Sequence, residues 1–266
     1  MENSTEDIEV KAKRLLYNCT ANAHNYNERT NDLIENIKKY YNYFSLKPKD
    51  SFSINPEELL QIYGCIRSIC KKMKNILCIR HGRAAHNVLN DKIGEKAYFL
   101  KESFDAPLVE EGILQAKELG KNSKQLMNID VVFVSPLTRT LQTAENIFEK
   151  NKKVRIVALD KIKEFPQGMQ ICNKRRNRIE LKEKFKKVDF SLLDSDSDQM
   201  WREDRYEKIE ELKERIDEFT KYVINENANN IAIVSHNNFL KELLFQNCGD
   251  ETYNLDHCNP YELDLF

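Results

Sequence analysis

Four short apolar runs, at 75–80, 130–135, 154–158 and 230–235, are each rich in Val or Ile and separated by stretches of helical periodicity. Strand alternating with helix is the pattern of a parallel sheet whose faces are both covered. The helical stretches are Glu110 to Lys121, Leu137 to Phe148, Arg205 to Val223 and Asn237 to Phe245. The reading predicts a three-layer α/β fold: a mainly parallel central sheet with helices on both faces. The tail from Cys258 to Phe266 alternates weakly and is expected to add an edge strand.

The ends of these runs carry the chemistry. Ile76 to Ile79 leads into Arg80-His81-Gly82, Val131 to Val134 into Ser135-Pro136-Leu137-Thr138-Arg139, and Ile231 to Val234 into Ser235-His236. In an open α/β sheet the C-terminal strand edge is where ligands bind. Two histidines and two arginines arriving there describe a pocket for a phosphoryl group. Imidazole is nucleophilic near neutral pH without an activating base. Arginine presents a planar fork of donors to phosphate oxygens.

Composition narrows the alternatives. Lys and Arg number 42 against 43 Asp and Glu, which gives no basic surface for nucleic acid or membrane. No apolar stretch approaches the roughly 20 residues that span a bilayer, and the polar, acidic N-terminus does not read as a signal peptide. Seven scattered cysteines without C-x-x-C spacing fit a reduced, cytoplasmic protein. Residues 1–72 read as a helical extension, with Leu33, Ile37, Tyr40 and Phe44 at helix spacing and a second helix opening at Asn55-Pro56. The catalytic domain is assigned to 73–266. An insertion at about 160–203 interrupts the rhythm, basic first (Lys174-Arg175-Arg176-Asn177-Arg178) and then acidic (Asp194 to Asp198).

Arg80-His81-Gly82-Arg83-Ala84-Ala85-His86-Asn87, Asp105-Ala106-Pro107-Leu108 before Glu111-Gly112, Ser135 to Ala144, and Val234-Ser235-His236 occur in one order over about 73–266. Together they resemble the histidine phosphatase superfamily, the phosphoglycerate mutase-like family, in its phosphatase-like branch. The resemblance implies that His81 becomes phosphohistidine and that Arg80, Arg139 and His236 complete the catalytic set. Asn87 supplies a further donor to the phosphoryl group. Glu164, in Lys163-Glu164-Phe165-Pro166-Gln167-Gly168 after the third strand, is the expected proton donor to the leaving oxygen. Arg83 is placed at the basic rim, and Arg175 and Arg176 are assigned to a second anionic group of the substrate. Asp194-x-Asp196-x-Asp198 fails as a calcium loop, because Gln199 holds the glycine position and Arg205 the closing glutamate position. The acidic run is instead expected to lead into a helix containing Trp201.

The expected activity is metal-independent hydrolysis of a small phosphorylated substrate, with no cofactor and no metal. A mutase would use the same histidine, but its Phe-Thr-Gly-Trp wording is absent after Asn87. A third alternative is a non-catalytic module that binds phosphorylated ligands.

Overall fold

The computed structural model describes residues 74–263; the helical extension expected over 1–72 and its boundary lie outside the described residues. Among the described residues the chain runs β1 (Asn75–Arg80), α1 (Ala85–Ile93), α2 (Glu110–Asn122), β2 (Val131–Val134), α3 (Thr138–Ile147) and β3 (Arg155–Ala158). It continues through α4 (Arg178–Lys184), β4 (Val188–Asp189), α5 (Ile209–Asn225), β5 (Asn230–Ser235), α6 (Asn237–Phe245) and β6 (Pro260–Glu262). The six strands form one sheet in the order β4-β3-β2-β5-β1-β6. All pairings are parallel except β1 with β6; the edge strand expected from the tail is present, and it runs antiparallel.

Alternation along each strand builds the layers. Leu77, Ile79, Val132, Val134, Ala232 and Val234 face one side, against Ala116 of α2 and Leu141 and Ala144 of α3. Ile76, Cys78, Val131, Phe133, Ile231 and Ile233 face the other, against Leu212 and Phe219 of α5 and Phe239 and Leu240 of α6. Because side chains alternate with period two, strands apolar at every position must be covered twice.

The register sets the site. Arg80 pairs with Ser235, and Val134 pairs with Val234. The three central strands therefore finish level, so His81, Ser135 and His236 emerge together at one edge.

The insertion departs from expectation in two ways. It contributes β4, whose two residues carry too little pattern to be recognised, and the short helix α4. Trp201 is not helical: it lies in an irregular segment, its indole N–H donating to the Gln170 carbonyl at 2.9 Å. The acidic run folds back on the basic run instead. The Arg178 guanidinium meets Asp196 at 2.6 Å, and the Arg175 N–H donates to Asp198 at 2.8 Å. The helix α1 is a further element without an apolar stripe strong enough to read beforehand.

Candidate active site

His81 is 2% exposed and follows β1 directly, its backbone N–H donating to the Ser235 carbonyl at 3.0 Å. Its Nδ1 lies 2.8 Å from the Gly82 carbonyl oxygen. A carbonyl only accepts, so the proton resides on Nδ1 and the lone pair on Nε2. Burial, and then Arg139 and His236, push the His81 pKa well below 6.5. The ring is therefore held neutral, with its lone pair on Nε2. Three more imidazoles surround it, with ring centroids at 5.2 Å (His236), 5.4 Å (His257) and 5.8 Å (His86).

The charge around them belongs to two arginines. Arg139, the second residue of α3, is buried, and donates from Nη1 to the Cys172 carbonyl at 2.8 Å and from Nη2 to Asn173 Oδ1 at 3.0 Å. Arg80 is tied through Nη1 to the Leu255 carbonyl. The Nε of each arginine, and Nδ1 of both His86 and His236, are buried with no partner among the described residues. The two arginine Nε–H groups are donors without a partner and suit an oxyanion, while each free ring nitrogen donates or accepts with its tautomer. The fourth ring, His236, is anchored through Nε2 to Ser135 Oγ at 2.8 Å.

Glu164 stands where the first turn of α6 can hold it. Its Oε1 accepts three backbone N–H groups: Phe165 at 2.8 Å, Asn238 at 3.1 Å and Phe239 at 3.2 Å. Oε2 takes no part in these three bonds. Burial raises the carboxyl pKa, while the Phe165 N–H and Arg139 pull in the opposite direction.

These groups open on a cavity of about 640 Å3, whose wall includes Arg80, His81, Arg139 and Glu164. Asn87 is also on the wall, its Oδ1 accepting from the Ala84 N–H at 3.0 Å. Arg83 is on the wall at the rim, paired with Asp91 at 2.5 Å and Glu111 at 3.5 Å.

Arg175 and Arg176 are not among the wall residues. Arg175 is 2% exposed, bidentate to Asp160 at 2.8 and 3.1 Å, with its other donors on the carbonyls of Arg176, Ser195, Asp196 and Ser197. Its placement corrects the expectation of a substrate contact: every donor is already satisfied within the insertion. Arg176 reaches Asp105 at 3.3 Å and Glu180 at 3.5 Å.

Sequence reasoning left His86 undecided and missed His257. His257 follows no apolar run and belongs to no motif. A bridge to Arg80 carries it beside β1, and its Nδ1 donates to the His81 carbonyl at 2.6 Å.

A family described as the histidine phosphatase superfamily (branch 1) matches residues 76–260. A phosphoglycerate mutase-like protein of Arabidopsis thaliana is 29% identical over 224 residues, 73% of this chain and 80% of that protein. Phosphoglycerate mutase-like protein 1 of the same plant is 31% identical over 198 residues, 64% of this chain and 70% of that protein. Among solved structures, the alpha-ribazole phosphatase of Shigella flexneri is 20% identical, covering 71% of this chain and 90% of its own, with a TM-score of 0.49.

Proposed function

Because the chain belongs to the histidine phosphatase superfamily, we propose that it is a metal-independent phosphatase that hydrolyses phosphomonoesters through a phosphohistidine on His81. The observation that carries this reading is the His81 Nδ1–H donation to Gly82 at 2.8 Å, which leaves Nε2 free to attack.

In the first step the Nε2 lone pair attacks phosphorus as the bond to the leaving oxygen breaks. Glu164 Oε2 gives its proton to that oxygen, so the alcohol departs neutral. Arg80, Arg139 and the Asn87 amide hold the spectator oxygens, and charge stabilisation of this kind is usually the largest catalytic contribution. In the second step the Glu164 carboxylate takes a proton from water, the water oxygen bonds to phosphorus, and the phosphorus–Nε2 bond breaks. The imidazole recovers its lone pair and inorganic phosphate leaves. One carboxyl group serves both steps, as acid in the first and base in the second, and burial raises its pKa in the direction the acid role needs.

Mutase-type transfer would share the first step. Hydrolysis is favoured because the two arginines expected to hold a second anionic group, Arg175 and Arg176, do not line the cavity and are paired with Asp160 and Asp105.

The test is incubation with an aryl phosphate in the presence of chelator, followed by acid and alkaline quenches. Expected are turnover and a protein-bound phosphate that is acid-labile and base-stable, with both lost in His81→Ala. Undiminished turnover by that variant would overturn the mechanism. With 3-phosphoglycerate, transfer to a second hydroxyl faster than phosphate release would overturn the choice of hydrolysis.

A further inference from the structure

The proton donor is held from a place no motif marks. Arg215 lies on α5 and is 6% exposed. It is absent from the cavity wall, so it does not meet substrate. Its Nη1 donates to the carbonyls of Lys161 at 2.7 Å and Lys163 at 2.8 Å, and its Nη2 to the Glu164 carbonyl at 3.3 Å. One guanidinium thus grips three carbonyls within the four residues that end at the acid.

The same group reaches the carboxylate end by a second route. The Arg215 guanidinium carbon lies 5.1 Å from the centroid of the Phe239 ring, in cation–π geometry. Phe239 is one of the three residues whose backbone N–H holds Glu164 Oε1. Main chain and carboxylate of the acid are therefore both referred to Arg215.

Arg215 is itself locked. Glu207 accepts its Nε at 2.6 Å and its Nη2 at 3.1 Å, and Glu207 also takes the Gln167 N–H at 3.1 Å. Gln167, 1% exposed, donates its side-chain amide to the Glu164 carbonyl at 2.6 Å. The loop is closed: Glu207 orients Arg215 and Gln167, and both of these converge on Glu164. Lysine could replace the charge, but three donors on one nitrogen cannot span this set of acceptors.

We infer that Arg215, braced by Glu207, is the positioning residue for the Glu164 proton donor. The inference rests on the acid role given to Glu164 above. Displacing a catalytic group by about 1 Å can cost on the order of 100-fold in rate.

A positioning role predicts a pattern that a merely structural role does not. Proton donation matters most when the leaving oxygen is basic, so a misplaced acid should slow alkyl phosphates and spare aryl phosphates. The experiment compares kcat/KM for glycerol phosphate and p-nitrophenyl phosphate in wild type, Glu164→Gln, Arg215→Met and Arg215→Lys. Expected for Arg215→Met is a loss of about 10- to 100-fold on the alkyl substrate and less than about threefold on the aryl one. Arg215→Lys should fall between this variant and wild type.

Equal losses on both substrates, or none, in Arg215→Met alongside a selective Glu164→Gln would overturn the inference alone. A non-selective Glu164→Gln would overturn the acid assignment and the inference with it. Should Arg215→Met fail to fold, Glu207→Gln, which weakens the brace and keeps the guanidinium, takes its place in the same comparison. Equal losses or none in Glu207→Gln would then overturn the inference in the same way.

Discussion

Gly82 and Gly112 meet backbone to backbone: a Cβ built on Gly82 would lie 2.5 Å from the Gly112 carbonyl oxygen. The reverse contact is as tight, since a Cβ on Gly112 would lie 2.1 Å from the Arg83 carbonyl oxygen. The turn after β1 is thus pressed against the first turn of α2, and two residues without side chains permit it. The Gly82 carbonyl exposed by this turn is the acceptor that sets the His81 tautomer. Packing and nucleophile orientation share one peptide.

Gly82→Ala should therefore damage both. The neighbour it meets is main chain, which cannot rotate away, and overpacking of this kind costs about 1–3 kcal/mol. The Gly82 carbonyl should move with the turn, freeing the His81 ring to adopt the other tautomer. The expected outcome is a lower urea midpoint and a kcat reduced by about tenfold or more, in line with the cost of small misplacements. An Ala variant with wild-type kcat would show that the Gly82 carbonyl does not orient the ring.

A second prediction concerns pH and stability. Burial, followed by Arg139, holds the pKa values of His81, His86 and His236 well below 6.5. Below that value the unfolded chain binds protons on these rings that the folded chain refuses. Their stabilisation is thus present above about pH 6.5 and lost as pH falls toward the folded pKa values. Each ring should lower the unfolding free energy as pH falls from about 7.5 to about 5.5. Asp105, pushed up to about 6 by burial, acts in the opposite sense. Its contribution is full below the ordinary carboxyl range and lost as pH rises through 6, which offsets less than about 1 kcal/mol over that interval. Urea unfolding at the two pH values should show a net fall. His86→Gln should reduce the fall by one ring's share; an unchanged fall would mean that His86 titrates alike in both states.

What could be read in advance follows from where the information lies. β1, β2, β3 and β5 announce themselves because each is a local apolar run, and a histidine or arginine just beyond a run is placed by the run itself. The strand ends therefore carried Arg80, His81, Arg139 and His236 to one edge once the sheet order brought β1, β5 and β2 together. His257 and Arg215 had no such local signal. The first is brought in by an edge bridge to Arg80, and the second acts from the middle of a helix on carbonyls about fifty residues earlier in the chain. Trp201 was misread because Asp198 caps a turn there, its carboxylate taking the N–H groups of Met200 and Trp201 without starting a helix.

The basic run of the insertion yields the last prediction. Arg175 and Arg176 are neighbours in sequence with opposite fates. Arg175 pairs with Asp160 where the two side chains are 0% and 6% exposed, whereas Arg176 remains one-third exposed beside Asp105. Removing one partner of a buried pair leaves an uncompensated charge and costs about 3–5 kcal/mol, whereas Asp105, itself buried, keeps its two Thr138 hydrogen bonds when the partly exposed Arg176 is removed. Arg175→Ala should therefore lower the urea midpoint strongly, and Arg176→Ala only slightly. Since neither guanidinium meets the cavity, KM for an alkyl phosphate should stay within about twofold in the folded fraction of each, by the same separation of buried and exposed pairs. A tenfold rise in KM for Arg176→Ala with unchanged stability and kcat would restore it to the substrate, as the loss of a binding contact.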